Sequence, residues 1–133
     1  MSTITPTEAC ARLAEMMGWT LVSKKSCSVY QIYIEWRDER GSMHWYGVSM
    51  GLHVGTFNPL TDANQAIECL EAWLNGDKYR SAQTHSDSTG HQIELEGKEW
   101  EDMAFATNPS HNYAIAEALL SAEAGESITI GGE

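Results

Sequence analysis

Cations are scarce in this chain: eight lysines and arginines stand against 19 aspartates and glutamates, a formal net charge of −11 over 133 residues. Binding to a phosphate backbone needs clustered cations that release counterions, and the one close basic pair is Lys24 and Lys25. Direct nucleic-acid binding is therefore not expected. Cysteine is also sparse. Cys10, Cys27 and Cys69 are odd in number, far apart and without a CxxC spacing, which argues against a disulfide framework and gives no zinc motif. Cys10 and Cys69 fall within helical apolar patterns and are expected to be small buried hydrophobes. No apolar run has the length that crosses a bilayer, and no charged-then-apolar leader opens the sequence, so a cytoplasmic location without membrane association is expected. Catalytic signatures are missing too: there is no Gly-x-Ser-x-Gly elbow, no Gly-rich phosphate loop ahead of a helix, and no cysteine with a local histidine in a recognised signature. The expected mode of action is binding rather than catalysis, without a cofactor.

What the chain does contain is material for a core. A hydrophobic fraction of 42% with five tryptophans suits one folded domain, which at this length buries roughly two thirds of its unfolded surface. That domain is expected over residues 1–122, followed by an acidic, glycine-rich tail over 123–133 in which Ser127 to Ile130 is an alternative short strand. Thr5, Pro6 and Glu8 carry the signature of a helix start, and Ala9, Leu13 and Met16 or Met17 form an apolar stripe that Gly18 ends. A second helix is expected from Pro59 or Asp62 to Leu74, with Ala63, Ala66, Ile67, Leu70, Trp73 and Leu74 on one face. Asn108-Pro109-Ser110 opens a third, containing Tyr113, Ile115, Ala116, Leu119 and Leu120.

Between the helices the periodicity turns to strands. Trp19 to Val22 reads as a short strand. From Ser28 to Trp36, alternation places Tyr30, Ile32, Ile34 and Trp36 on an apolar face and Val29, Gln31, Tyr33 and Glu35 on the other. A polar loop, Arg37 to Gly41, leads to a partner strand over Ser42 to Met50. Gly47, Gly51 and Gly55 suggest a flexible connection after it. Tyr79 to His85 and Gln92 to Glu96 form a second hairpin, and Lys98 to Ala106 a further strand. Asn58-Pro59 and Asn108-Pro109 each follow strands and open a helix, an echo that helix-start chemistry alone can produce. The fold class implied is α+β, an antiparallel or mixed sheet of about five strands packed with helices.

Met17-Gly18-Trp19, Phe57-Asn58-Pro59-Leu60-Thr61-Asp62 with Ala66, and the closing segment Asn112 to Leu120 together resemble the phage ABA-sandwich domain over most of residues 5–122. The resemblance implies layers of α, β and α and a phage or prophage setting, and it carries no activity or site residue over to this chain.

Two surfaces are candidates for partner binding. Glu94, Glu96, Glu99, Glu101 and Asp102 are the densest acidic group, and Trp100 beside them is a candidate anchor, because interfaces concentrate their energy in aromatic residues and arginine. These residues are expected to steer and hold a host or phage protein with a basic surface, as an inhibitor of a host defence or nucleic-acid enzyme. A solvated sheet face accounts for the same charges. The second surface is the first hairpin, where Tyr33, Glu35, Asp38, Glu39 and one of Trp45 or Tyr46 must face outward, anchoring a partner, pairing in a homodimer or lying under a helix of the same fold. An alternative is a nucleotide pocket drawing on Lys24, Lys25, Arg37, Arg40, Lys78 and Arg80. An enzyme or metal site would have to be built from His85, Asp87 and His91, or from His44 and His53, none at a recognised ligand spacing.

Overall fold

The computed structural model describes residues 2–98 and 103–131. In chain order the elements are β1 (Ser2–Ile4), α1 (Pro6–Met16), β2 (Thr20–Lys25), β3 (Ile32–Arg37), β4 (Met43–Ser49), β5 (Leu52–Gly55), α2 (Ala63–Asn75), β6 (Ser81–Asp87), β7 (Gly90–Glu96), β8 (Ala104–Asn108), α3 (His111–Ala124) and β9 (Ile128–Ile130). The class is α+β, with mostly antiparallel sheets packed by helices. The described strands number nine and fall into three sheets: two antiparallel meanders, β2-β3-β4-β5 and β6-β7-β8, and a parallel pair, β1-β9. The expected strands do not include β1 and β5, each too short for alternation to register.

The helices start where side chains can satisfy their first amides. Thr5, Asp62 and Ser110 each accept a hydrogen bond from the backbone N–H three residues on. Glu8 does not complete a capping box; its carboxylate pairs with Arg12 instead. On α2 the buried stripe is Ala66, Cys69 and Trp73, while Ile67, expected on that face, is exposed. The segment before α2 acts as a plug, with Phe57, Asn58, Pro59 and Leu60 all buried. The Phe57 ring packs edge-on against Trp19 and Trp36, and Gln65 clamps the plug by accepting from the Asn58 N–H and donating to the Thr56 carbonyl.

Gly51 is a turn residue rather than part of a flexible link. With Met50 it forms a two-residue hairpin turn, both at positive φ (52° and 79°), which brings β5 back onto β4.

Helix α3 is the centre of the structure. Every residue from Ala114 to Ser121 is buried, as a helix that is apolar nearly all round must be. It packs on β7, β8 and β9 and against α1 and α2, and Gly125 ends it in a left-handed conformation. One ionisable side chain lies inside this shell. Glu117, 4% exposed, accepts from Asn108 Nδ2 through Oε1 and from the Ile130 N–H through Oε2, both at 2.9 Å. One turn later, Ser121 Oγ accepts from the Ile128 N–H at 2.9 Å. Of the two expectations for the C-terminal segment, the short strand is the one found over Ile128–Ile130. Replacing Glu117 by alanine strips the buried Ile130 amide and the half-buried Asn108 side chain of their acceptor and is expected to cost about 2–3 kcal/mol, read as a lower urea midpoint.

Candidate functional site

The register of β3 and β4 sets Tyr33 opposite Gly47 and Glu35 opposite Trp45. Because Ile34, Trp36, Tyr46 and Val48 are buried in the core, alternation sends Tyr33, Glu35 and Trp45 to the opposite face. Of the adjacent pair, Trp45 is therefore the outward residue and Tyr46 the inward one. Tyr33 and Trp45 stack, with ring centroids 5.5 Å apart and planes 25° from parallel. Tyr30 meets Trp45 edge-on at 5.8 Å and Tyr33 at 5.3 Å.

Tyr30 corrects the alternation expected from Ser28 to Trp36. Residues 27–31 lie outside β3, and Cys27 N–H donates to the Tyr30 carbonyl in a turn that swings this ring to the outward face. Its seat is Gly47, where an added Cβ would stand 3.0 Å from Tyr30 Cδ1 and 3.3 Å from the Ile32 carbonyl oxygen. The absence of a side chain at position 47 is what lets the aromatic ring lie down.

Around the three rings is a depression of about 410 Å³ lined by β2, β3, β4 and the turn between β2 and β3. Its walls carry opposite charges. Lys25 Nζ stands 5.4 Å from the Tyr33 ring centroid, and Glu35 lies beside Tyr33, whose pKa is raised by burial first and then by that carboxylate. Cys27 is exposed at the rim, and its thiol pKa is lowered by the backbone amides of Tyr30 and Val29, helped by Lys25. Cys69 is the opposite case, pushed up to about 12 by burial.

The other site residues singled out in the sequence separate into distinct places. Glu94 and Glu96 project from β7 opposite Ile93 and Leu95; Glu94 is half-buried and accepts from Gln92 Nε2, while Glu96 is exposed. Phe105, 54% exposed, pairs with Glu94 across the β7-β8 ladder and was not anticipated as an aromatic neighbour. Glu99, Trp100, Glu101 and Asp102 lie outside the described residues. Asp38 holds its own hairpin turn, accepting from the amides of Arg40 and Ser42 and from His44 Nε2 at 2.8 Å, and the ring of His44 stacks on Trp19 at 4.1 Å. These bonds, His44 first, hold the Asp38 carboxyl below its usual range.

The histidines considered as ligands do not converge. His85 pairs with Gln92 and His91 with Ser86, which puts the two rings on opposite faces of one hairpin. His91 Nδ1 is bonded to Ser86 Oγ and its ring lies 5.1 Å from His111, while His53 is held by the hydroxyl of Tyr46. Among the described residues no group of three or more His, Cys, Asp or Glu is placed to hold a metal ion, and no helix is long and apolar enough to cross a membrane. No family model, curated protein or solved structure matches this chain.

Two predictions follow from this chemistry. In the native protein a thiol reagent should label Cys27 quickly and leave the buried Cys10 and Cys69 unmodified until denaturant is added, as mass spectrometry would show. Because the folded pKa of Asp38 is depressed, its stabilising effect is present above the unfolded value of about 3.9 and lost as pH falls through the folded value. Asp38→Asn should therefore flatten the acid limb of stability, measured as urea midpoint from about pH 5 to pH 2.

Proposed function

We propose that this chain is a binding protein rather than an enzyme, and that it docks a protein partner with a basic surface on the outward face of the β2-β3-β4-β5 sheet. The observation that carries the reading is the cluster of Tyr30, Tyr33 and Trp45, half-buried on a sheet face that no described helix covers. Large aromatic rings left at the surface are the residues on which interfaces spend most of their energy. Centroids 5.3–5.8 Å apart place the rings in mutual contact, so they form a platform rather than a cage around a cation. An arginine side chain suits such a platform: its planar guanidinium stacks on a ring while its N–H groups reach Glu35. The net charge of −11, with Glu94 and Glu96 on the second meander, supplies long-range attraction for the same partner. With the phage setting that the sequence resemblance implies, the partner is a host or phage protein, and occupation of its basic surface inhibits a host defence or nucleic-acid enzyme.

Lys25 at the rim gives a second reading a footing. The depression falls within the size range of small-ligand pockets, and a cation above an aromatic floor suits a nucleotide. A rise in melting temperature with nucleotides supports this alternative.

The deciding experiment is titration of an arginine-glycine peptide, with lysine-glycine and glutamate-glycine peptides as controls, followed by the indole N–H signal of Trp45 in NMR and by protection of Cys27 from labelling. The arginine peptide should shift Trp45 and shield Cys27. Trp45→Ala should weaken binding at least about tenfold, and Glu35→Gln should weaken it less. Equal responses to all three peptides would sink the reading.

A further inference from the structure

A sheet with free edges must keep them from pairing at random, and this chain blunts most of its own. Strand β2 carries an irregularity between Leu21 and Ser23, followed by Lys24 and Lys25. Strand β5 has four residues and β8 five, while β1 and β9 have three each. Strand β6 is the exception. It forms the outer edge of its meander over seven residues, in unbroken register with β7, and contains no proline, glycine, lysine or arginine. All of it except Ala82 is exposed, and its one carboxylate, Asp87, stands at the end.

The register fixes which of its main-chain groups are free. Asp87 and Gly90 close the hairpin across a two-residue turn, so the bonded pairs with β7 fall on Ser81, Gln83, His85 and Asp87. The amides and carbonyls of Ala82, Thr84 and Ser86 point the other way, and among the described residues none of them has a hydrogen-bond partner. The flank is open as well. Ile93 and Leu95 of β7 are buried beneath α3, yet Thr84, which pairs with Ile93, is exposed, so the cover of the helix ends at β7.

The free groups at Ala82, Thr84 and Ser86 are symmetric about Thr84. A second β6 laid antiparallel about a two-fold axis at Thr84 sets Thr84 against Thr84 and Ala82 against Ser86, and every outward amide from Ala82 to Ser86 then finds a carbonyl. Between these pairs Gln83 faces His85. No like charges meet, the residues at the edge are small, and a threonine pair is favourable across strands.

We propose that the chain self-associates through this edge, two β6 strands joining two meanders into one continuous sheet. A second copy is the occupant because the strand is complementary to itself and has no row of charge with which to select a basic or an acidic segment. A single strand pair buries less than the roughly 1,200 Å² of a stable interface, so the dimer is weak and depends on concentration. The net charge of −11 on each copy opposes it, and salt relieves that repulsion. The aromatic platform lies on the other meander, so the two proposals stand or fall independently.

The test follows the whole chain from about 10 μM to 1 mM by sedimentation velocity and NMR, at low and high salt. The expected result is a mass that rises toward twice that of the monomer, more steeply in salt. Amide exchange should slow at Ala82, Thr84 and Ser86 and stay unchanged at Gln83 and His85, which bond to β7 in both states. Thr84→Lys places two ammonium groups face to face and should weaken association about tenfold, and an equimolar mixture with Thr84→Glu should restore it as a mixed dimer. Thr84→Pro removes an outward donor that the β6-β7 ladder does not use, and should leave the chain folded and monomeric. The proposal is overturned by a monomer at about 1 mM in high salt, by a dimer whose slowed amides lie elsewhere, such as at Tyr33 and Trp45, or by a dimer indifferent to Thr84→Lys and Thr84→Pro.

Discussion

A helix buried on every side must be enclosed by other elements, and any charge it carries inward must be met. In this protein that helix is α3. Ile115, Leu119 and Leu120 each contribute roughly 2 kcal/mol by leaving water, and they can do so only if β7, β8, β9, α1 and α2 close around them. Glu117 sits in the same shell, where an unmet carboxylate would be costly. Its two oxygens are answered by Asn108 and Ile130, residues from the two ends of the segment that α3 connects. The last strand is thus tied to the helix beneath it by two side chains, Glu117 and Ser121, besides its pairing with β1.

With the core assembled around α3, each meander has one face committed inward and one left over. The two free faces are chemically different. On the first meander, stacked rings lie between a cation and an anion. On the second, Glu94 lies between Gln83 and Phe105 across the ladder, a polar and acidic field beside the exposed Phe105 and Met103. An excess of negative charge distributed in this way attracts basic partners from a distance without deciding where they land.

The helices were legible because their signals are local: Thr5, Asp62 and Ser110 cap them, and apolar residues recur at helical spacing. The long strands β3, β4 and β7 were legible from alternation, and with them the outward placement of Glu94, Glu96 and one of Trp45 or Tyr46. Tyr30 was misplaced because a turn at 27–31 breaks the period that Ile32 to Trp36 follow. Strand β5 was hidden by glycines that read as looseness but serve a tight turn and a close strand approach. Strands β1 and β9 have meaning only in each other's company, and no short window of sequence contains both. Glu117 carried a faint signal, a lone acid in the alanine- and leucine-rich stretch that closes the fold, yet its partners come from elsewhere in the chain. The motif Phe57-Asn58-Pro59-Leu60, which carries part of the family resemblance, is a buried plug, so its chemistry is that of packing.

The parallel pairing of β1 with β9 joins the first described strand to the last. During synthesis β1 precedes every other described element, and its edge stays unsatisfied until Ile128–Ile130 has been made. Local hairpins and helices can form as they appear, but this pairing closes the loop from Ile4 to Ile128 and belongs among the late events of folding. The small sheet is therefore a clasp: it adds few contacts of its own, yet its closing marks the moment at which the chain ceases to be a set of neighbouring pieces and becomes a ring.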